Sequence, residues 1–388
     1  MSRSATRMAQ IRPFYVMALL ARAKQLEAEG RSIIHMEVGE PDFDSPAPVV
    51  KAGQKALAEG LTHYTPAMGI PELREAIAGH YRRRYDVSVD PARVIVTPGS
   101  SGALQLAMGV MINPGDQVMM ADPSYPCNRN FVSLVGGEVC LIPVGHESNY
   151  QLTAAAVEQH WNDDMRAVMV ASPSNPTGTL VEKEELRRIH QVVRANGGTL
   201  IVDEIYQGLI YDEAGYTALE LADDLIVINS FSKYFGMTGW RLGWMVAPEP
   251  LVDGIDKLAQ NIFLSPPTPA QYAALEAFSE ETVAILEERR LAFQARRDYL
   301  YPALSELGFN IRSTPKGAFY LYADCRGLTD DSYQFALDLL EQEGVAITPG
   351  RDFGDNHPEV HLRFAYTADI AVLREGVERI ARFIAKRA

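Results

Sequence analysis

From about residue 92 the chain alternates two hydrophobic periods, and that alternation restricts its fold more than any other feature. Short apolar, often β-branched runs bracket longer stretches of helical period. The runs are Val94-Ile95-Val96, Gln117-Val118-Met119-Met120, Ala167-Val168-Met169-Val170, Thr199-Leu200-Ile201-Val202 and Leu225-Ile226-Val227-Ile228. In one intervening stretch, Glu182 to Arg194, Leu186, Ile189 and Val193 share a helical face. Continuous apolar strands separated by helices form a mostly parallel sheet covered on both faces, an α/β architecture. Leu242-Gly243-Trp244-Met245-Val246 reads as a further strand.

The texture changes after Pro269. A long helical pattern runs from Gln271 to about Leu300, and its charged stretch Leu286-Glu287-Glu288-Arg289-Arg290 reads as a solvated face. Strand-like pieces return at Ala318–Tyr322, Val345–Ile347 and Val360–Phe364, and a last helix covers roughly Ala368–Ala385. This mixture predicts a smaller α+β domain. For 388 residues two or three domains are expected. The expected division is a large α/β domain over 46–270 and a smaller one joining 1–45 to 271–388. At the N-terminus, Arg3, Arg7 and Arg12 precede the apolar stretch Phe14–Ala21, which loosely imitates an export signal. Helical spacing of Val16, Leu19, Leu20, Ala23 and Leu26, with Gly30 to end the turn, fits a docked amphipathic helix better.

Composition excludes several classes. Charged residues sum to 36 − 50 = −14, whereas a nucleic-acid binder needs a basic surplus to release counterions. A 47% hydrophobic, 22% charged chain is not a disordered one. Cys127, Cys140 and Cys325 include no CxxC spacing, so a reduced, cytoplasmic chain without a zinc site is expected. The eight histidines form no HExxH, and no metal is expected. No apolar run approaches the ~18 residues of a membrane span.

Four motifs follow directly on the apolar strands, where open parallel sheets bind ligands. The sharpest is Ser230-Phe231-Ser232-Lys233-Tyr234-Phe235-Gly236-Met237-Thr238-Gly239-Trp240-Arg241-Leu242-Gly243. A loop lysine is ordinarily just solvated. Here small residues allow close backbone approach, and Arg241 supplies a guanidinium suited to phosphate. Asp203-Glu204-Ile205-Tyr206 places carboxylates at a strand end, where a plain helix cap is the competing role. Ser172-Pro173-Ser174-Asn175-Pro176-Thr177-Gly178 suits a turn by composition alone. Thr97-Pro98-Gly99-Ser100-Ser101-Gly102 either forms a plain turn or opens a helix with small residues, whose free N–H groups would face an anion. There is no GxGxxG fingerprint and no Walker lysine.

An amine, a carboxylate, an amide and an anion nest with an arginine resemble the site of the class I/II aminotransferases, pyridoxal-phosphate enzymes of fold type I. The resemblance runs from about Arg12 to the C-terminus. Ser-x-x-Lys with Gly-Trp-Arg-x-Gly is its most specific element, followed by Ser-Asn-Pro-Thr-Gly and Asp-Glu-x-Tyr. It implies a seven-stranded, mostly parallel sheet and a ping-pong transfer of an amino group from an L-amino acid to a 2-oxo acid, 2-oxoglutarate or pyruvate. Lys233 matches the lysine that forms the internal aldimine and then moves the Cα proton. Asp203 matches the carboxylate facing the pyridine nitrogen. Ser100, Ser101, Gly102, Ser230 and Arg241 match the phosphate site, Asn175 and Tyr206 the partners of the ring oxygen, and Tyr125 the stacking aromatic. Tyr64 matches a tyrosine that reaches the neighbouring subunit's phosphate, which implies a homodimer. Arg363 matches the arginine that holds the substrate carboxylate, with Gly39 as a backbone contact; a surface salt bridge is the alternative for Arg363. Closure of the small domain on substrate follows as an expectation.

Substrate choice stays open at this level. Arg129, Arg12 and Arg351 are candidates for a distal carboxylate, and Phe14 and Tyr15 for an apolar side-chain pocket. A C–S lyase of the same fold, or a non-catalytic ligand-binding domain, would carry many of the same motifs.

Overall fold

The computed structural model describes residues 4–9, 11 and 13–387. Arg3 and Arg12 lie outside the described residues. The first helix, α1, spans Tyr15–Ala28; Val16, Leu19, Ala23 and Leu26 are its buried residues, as the helical spacing predicts, but Leu20, expected on the same stripe, is only half-buried. It is followed by a two-residue strand, β1 (Ile34–His35).

The expected α/β sheet is present and has seven strands. These are β2 (Val94–Thr97), β3 (Gln117–Asp122), β4 (Glu138–Pro143), β5 (Met165–Ala171), β6 (Thr199–Asp203), β7 (Ile226–Ser230) and β8 (Gly243–Val246). Their order is β2-β8-β7-β6-β5-β3-β4, and only β8 runs against its neighbours. Alternate residues of one strand feed different cores. Leu200 and Val202 of β6 join Val168, Val170 and Val227 on one face, while Ile201 joins Met169, Ile226 and Ile228 on the other. That two-sided burial explains why these strands read as unbroken apolar runs.

Strand β4 has no such signature, because it is an edge strand and only Ile142 in it is buried. The long helical pattern after Pro269 is two α-helices, Thr268–Leu275 and Glu280–Glu306, with a 3-10 turn, Glu276–Phe278, between them. Ser279 interrupts it by capping the second: its Oγ accepts from the Thr282 N–H at 3.3 Å. The charged stretch is also less solvated than expected. Leu286 is fully buried, the Tyr234 hydroxyl donates to Glu287 at 2.6 Å, and Arg290 donates to the Ile210 carbonyl at 3.1 Å.

A smaller antiparallel sheet, ordered β11-β12-β9, contains β9 (Tyr320–Asp324), β11 (Thr348–Pro349) and β12 (His361–Ala365). Between them β10 (Val345–Ala346) pairs in parallel with β1, stitching the N-terminal segment to the C-terminal third. No helix among the described residues is long and apolar enough to cross a membrane.

Candidate active site

Strands β2, β3, β5, β6 and β7 point the same way, so their carboxyl ends open on one edge of the sheet. The segments leaving them meet there around a cavity of about 260 Å³. Ser100, Ser101, Tyr125, Asn175, Asp203, Tyr206, Lys233 and Arg241 all line it, joined by Gly39 and Arg363. Residues scattered from 39 to 363 thus share one cleft.

Lys233 is half-buried, and its ammonium donates to the Gly39 carbonyl at 2.6 Å. Burial pushes its pKa down to about 8; Arg363 and Arg241 push the same way, against Glu40 and Asp203. Asp203 closes β6. Burial raises its carboxyl to about 6, opposed by the N–H of Ile205, which reaches Oδ1 at 3.1 Å, and by the Lys233 charge. The neighbouring Glu204 points elsewhere. It accepts from the Thr217 hydroxyl at 2.9 Å and from the Ala218 N–H at 2.6 Å, and burial raises it to about 8. The two competing roles of this motif are therefore both filled, by adjacent carboxylates: Asp203 faces the cavity and Glu204 caps the short helix Ala218–Glu220.

The helix Gly99–Met111 starts at the cavity wall behind Pro98, without a side-chain cap. Among the described residues the N–H groups of Gly99, Ser100 and Ser101 donate to no protein acceptor, which is the arrangement that receives an anion. Arg241 lies beside this end, held by a bond from its guanidinium to the Thr238 carbonyl at 3.0 Å. Its φ of 54° is a left-handed conformation unusual for arginine. The backbone of β8 passes directly beneath: a Cβ on Gly243 would sit 2.7 Å from the Gly99 carbonyl carbon. Ser230 and Gly102, by contrast, do not line the cavity. The buried Ser230 hydroxyl donates to Ser232 at 2.9 Å, and it is Ser232 that faces the cleft.

Arg363 sits in β12 and is only 3% exposed, which rules out the surface salt bridge. Its guanidinium donates to Asn175 Oδ1 at 2.9 Å, to the Thr348 hydroxyl at 3.1 Å and to the Glu37 carbonyl. It stacks between the rings of Tyr320 and Phe353 at 4.3 and 4.8 Å. All three acceptors are neutral, and its Nε is buried without a partner. A fixed, fork-shaped cation with an unused donor suits a carboxylate. Tyr320 is a site residue that the motifs do not reveal. Its hydroxyl meets that of Tyr206 at 2.8 Å and packs so close to Gly39 that a Cβ there would lie 1.8 Å from it. The only signal is the aromatic alternation of Phe319-Tyr320-Leu321-Tyr322.

One wall of the cavity is apolar: Phe14, Val16, Met17 and Leu20 from the α1 segment, with Leu104 and Phe131. The two candidates for an apolar pocket divide. Phe14 lines this wall and also borders a second cavity of about 190 Å³, whereas Tyr15 faces the second cavity alone and packs on Tyr333. Arg129 and Arg351 line that second cavity, where Arg129 donates to the Asp352 carbonyl at 2.9 Å and Arg351 lies 3.5 Å from Asp331. Arg12 is outside the described residues. Tyr64 is 81% exposed and does not line either cavity.

These residues fit pyridoxal phosphate. The uncapped helix start and Arg241 suit its phosphate, Asp203 its ring nitrogen, and Lys233 its aldehyde. An amine titrating near 8 is mostly protonated at pH 6 and half neutral at pH 8. Capture of pyridoxal phosphate by the apoprotein should therefore accelerate about 50-fold between those pH values and level off above. Stopped-flow absorbance would measure this; a flat profile from pH 6 to 9 would remove the lowered amine from the account.

The chain is similar over nearly its whole length to known proteins. The family model for aminotransferase class I and II matches residues 31–380. The (5-formylfuran-3-yl)methyl phosphate transaminase of Methanocaldococcus jannaschii is 38% identical over 98% of this chain and 99% of its own. The valine–pyruvate aminotransferase of Mycobacterium tuberculosis is 38% identical over 97% of each. A crystal structure of an aminotransferase from Mycobacterium tuberculosis superposes with a TM-score of 0.95 at 38% identity, covering 100% of both chains.

Proposed function

The chain belongs to the class I and II aminotransferases, and from that premise we propose that it moves the amino group of an amino acid with an apolar side chain onto a small 2-oxo acid. As a member of that family it is a pyridoxal-phosphate-dependent transaminase acting on amino acid and keto acid substrates. When bound, pyridoxal phosphate supplies a carbonyl carbon for the amino group and a ring that accepts electrons from Cα.

The remaining work falls to side chains. Lys233, neutral in part at physiological pH, takes the proton from substrate Cα and returns it on the other side of the transfer. Asp203 holds a proton at the ring nitrogen, keeping the ring cationic, and Asn175 and Tyr206 donate to the ring oxygen. Ser100, Ser101 and Arg241 hold the phosphate, with Ser230 acting through Ser232. Tyr125 covers the ring. Arg363 takes the substrate carboxylate in a fork, with Gly39 beside it, and so orients the Cα–H bond. We read β12, which carries Arg363, as part of a smaller unit made from 1–45 and 271–388 that closes over 46–270 on substrate binding. Identical crystal structures of the free and ligand-bound enzyme would contradict closure.

The apolar wall carries the substrate reading. Among the described residues lining the cavity the cations are Lys233, Arg241 and Arg363, each with a task. A distal carboxylate would face Phe14, Val16, Met17 and Leu20 with no partner, at a cost of several kcal/mol. The same wall favours pyruvate over 2-oxoglutarate as acceptor. With single amino acids and stoichiometric holoenzyme, kcat/KM for leucine, valine or phenylalanine should exceed that for aspartate by about 100-fold or more. A preference for aspartate or glutamate would overturn the reading.

The exposed Tyr64 supports a homodimer in which it reaches the phosphate site of a second copy; active enzyme sedimenting as a monomer would exclude this. Three free cysteines support a cytoplasmic location, which cell fractionation would check.

A further inference from the structure

Helix α1 has no cap of its own. The residue before its first turn is Phe14, whose side chain bonds to none of the helix N–H groups. That side chain instead lines the substrate cavity, edge-on to Tyr125 with ring centroids 6.3 Å apart. A first turn left this way has unpartnered donors, and an apolar N-cap ordinarily costs a helix stability. The deficit is met from the far end of the chain. Asp352, 2% exposed, accepts the N–H of Tyr15 on Oδ1 and that of Val16 on Oδ2, both at 2.7 Å. The bonds span 337 and 336 residues.

The next residue, Phe353, packs its ring under the Arg363 guanidinium at 4.8 Å. The Asp352 carbonyl receives Arg129 at 2.9 Å. Two consecutive residues thus touch both ends of the substrate site: the cap of the apolar wall on one side, the carboxylate-holding arginine on the other. Building on the apolar-donor reading, we propose that Asp352 is a positioning residue that sets side-chain selection. By capping α1 from outside, it releases position 14 for an apolar wall residue. With Phe353 it then fixes the spacing between that wall and Arg363. A donor whose side chain fills this spacing binds both; a shorter one reaches Arg363 alone.

The test uses holoenzyme with Asp352→Ala and Asp352→Asn, the latter keeping one acceptor oxygen. In Asp352→Ala, hydrogen exchange at the amides of Tyr15 and Val16 should accelerate about tenfold. The KM for leucine should rise about tenfold, while that for alanine, whose methyl offers the wall little surface, and both kcat values stay within about threefold. Asp352→Asn should recover most of the leucine KM. A merely structural role would instead change alanine and leucine alike, or lower kcat. Unchanged exchange in Asp352→Ala overturns the proposal, and so does faster exchange with an unchanged leucine-to-alanine ratio. Should the wild type prefer aspartate to leucine, the apolar reading falls by itself; Asp352 is then judged by whether its loss shifts the KM of aspartate relative to alanine.

Discussion

Replacing Lys233 with alanine is expected to lower turnover by about 10⁴-fold or more, the upper range for removing a positioned proton-transfer group that is also the attachment point. Lys233→Arg should fare no better, since a guanidinium keeps the charge but stays protonated and cannot attack an aldehyde. Both variants should lose the yellow colour of lysine-joined pyridoxal phosphate while still binding it through the phosphate site. Stability should move the other way. The folded state lowers the Lys233 pKa from 10.5 to about 8, chiefly by burial, so the charged form is disfavoured there. Between about 8 and 10.5 the unfolded chain holds more protons than the folded one, and stability contributed by this group rises with pH. Below about 8 the penalty is fully present. Lys233→Ala apoprotein should therefore melt at a higher temperature than wild type at pH 7, and the gap should shrink toward pH 10. A Lys233→Ala enzyme with more than a few per cent of wild-type turnover would remove the lysine from the chemistry.

The second large effect is at Arg363. Arg363→Ala should reduce kcat/KM by about 10³-fold, and Arg363→Lys by about 10²-fold, because an ammonium supplies no two-pronged contact. The structural reason lies in what already holds the guanidinium. Asn175, Thr348 and the Glu37 carbonyl take its terminal nitrogens, and the Tyr320 and Phe353 rings clamp its faces. A lysine cannot satisfy those acceptors together. Uptake of pyridoxal phosphate by its visible absorbance should be nearly unchanged, which separates loss of substrate binding from loss of cofactor. A kcat/KM within about threefold of wild type in Arg363→Ala would sink the assignment.

Where the sequence was readable, a physical reason can be given. Strands buried on both faces are apolar over their central positions, so β5, β6 and β7 stand out without any partner being known. Strand ends in parallel sheets converge, so the positions of Lys233, Asp203, Asn175 and the Ser100–Ser101 helix start just after strands already point to one cleft. Edge strand β4 carries no such run because only Ile142 in it is buried and both of its ends are exposed. The break at Ser279 was hidden inside a period that continues on both sides. Tyr320 carries no motif: its hydroxyl reaches the cavity because Gly39, 281 positions earlier, has no side chain in its way.

Local sequence thus determined the elements and the chemistry at their ends, since periodicity, turn residues and helix starts are short-range properties. Tertiary structure decided everything that depends on distances between remote segments. It separated Asp203 from Glu204, one facing the cleft and the other capping a turn. It buried Arg363 with neutral partners, where the strand pattern alone allowed a surface ion pair. It sent Arg129 and Arg351 to a different cavity from the one that holds Lys233. It placed Phe14 on the apolar wall of the cavity, with Asp352 capping the helix in its stead. Such pairings arise when packing brings together groups hundreds of residues apart, and no periodicity in the chain encodes which of them will meet.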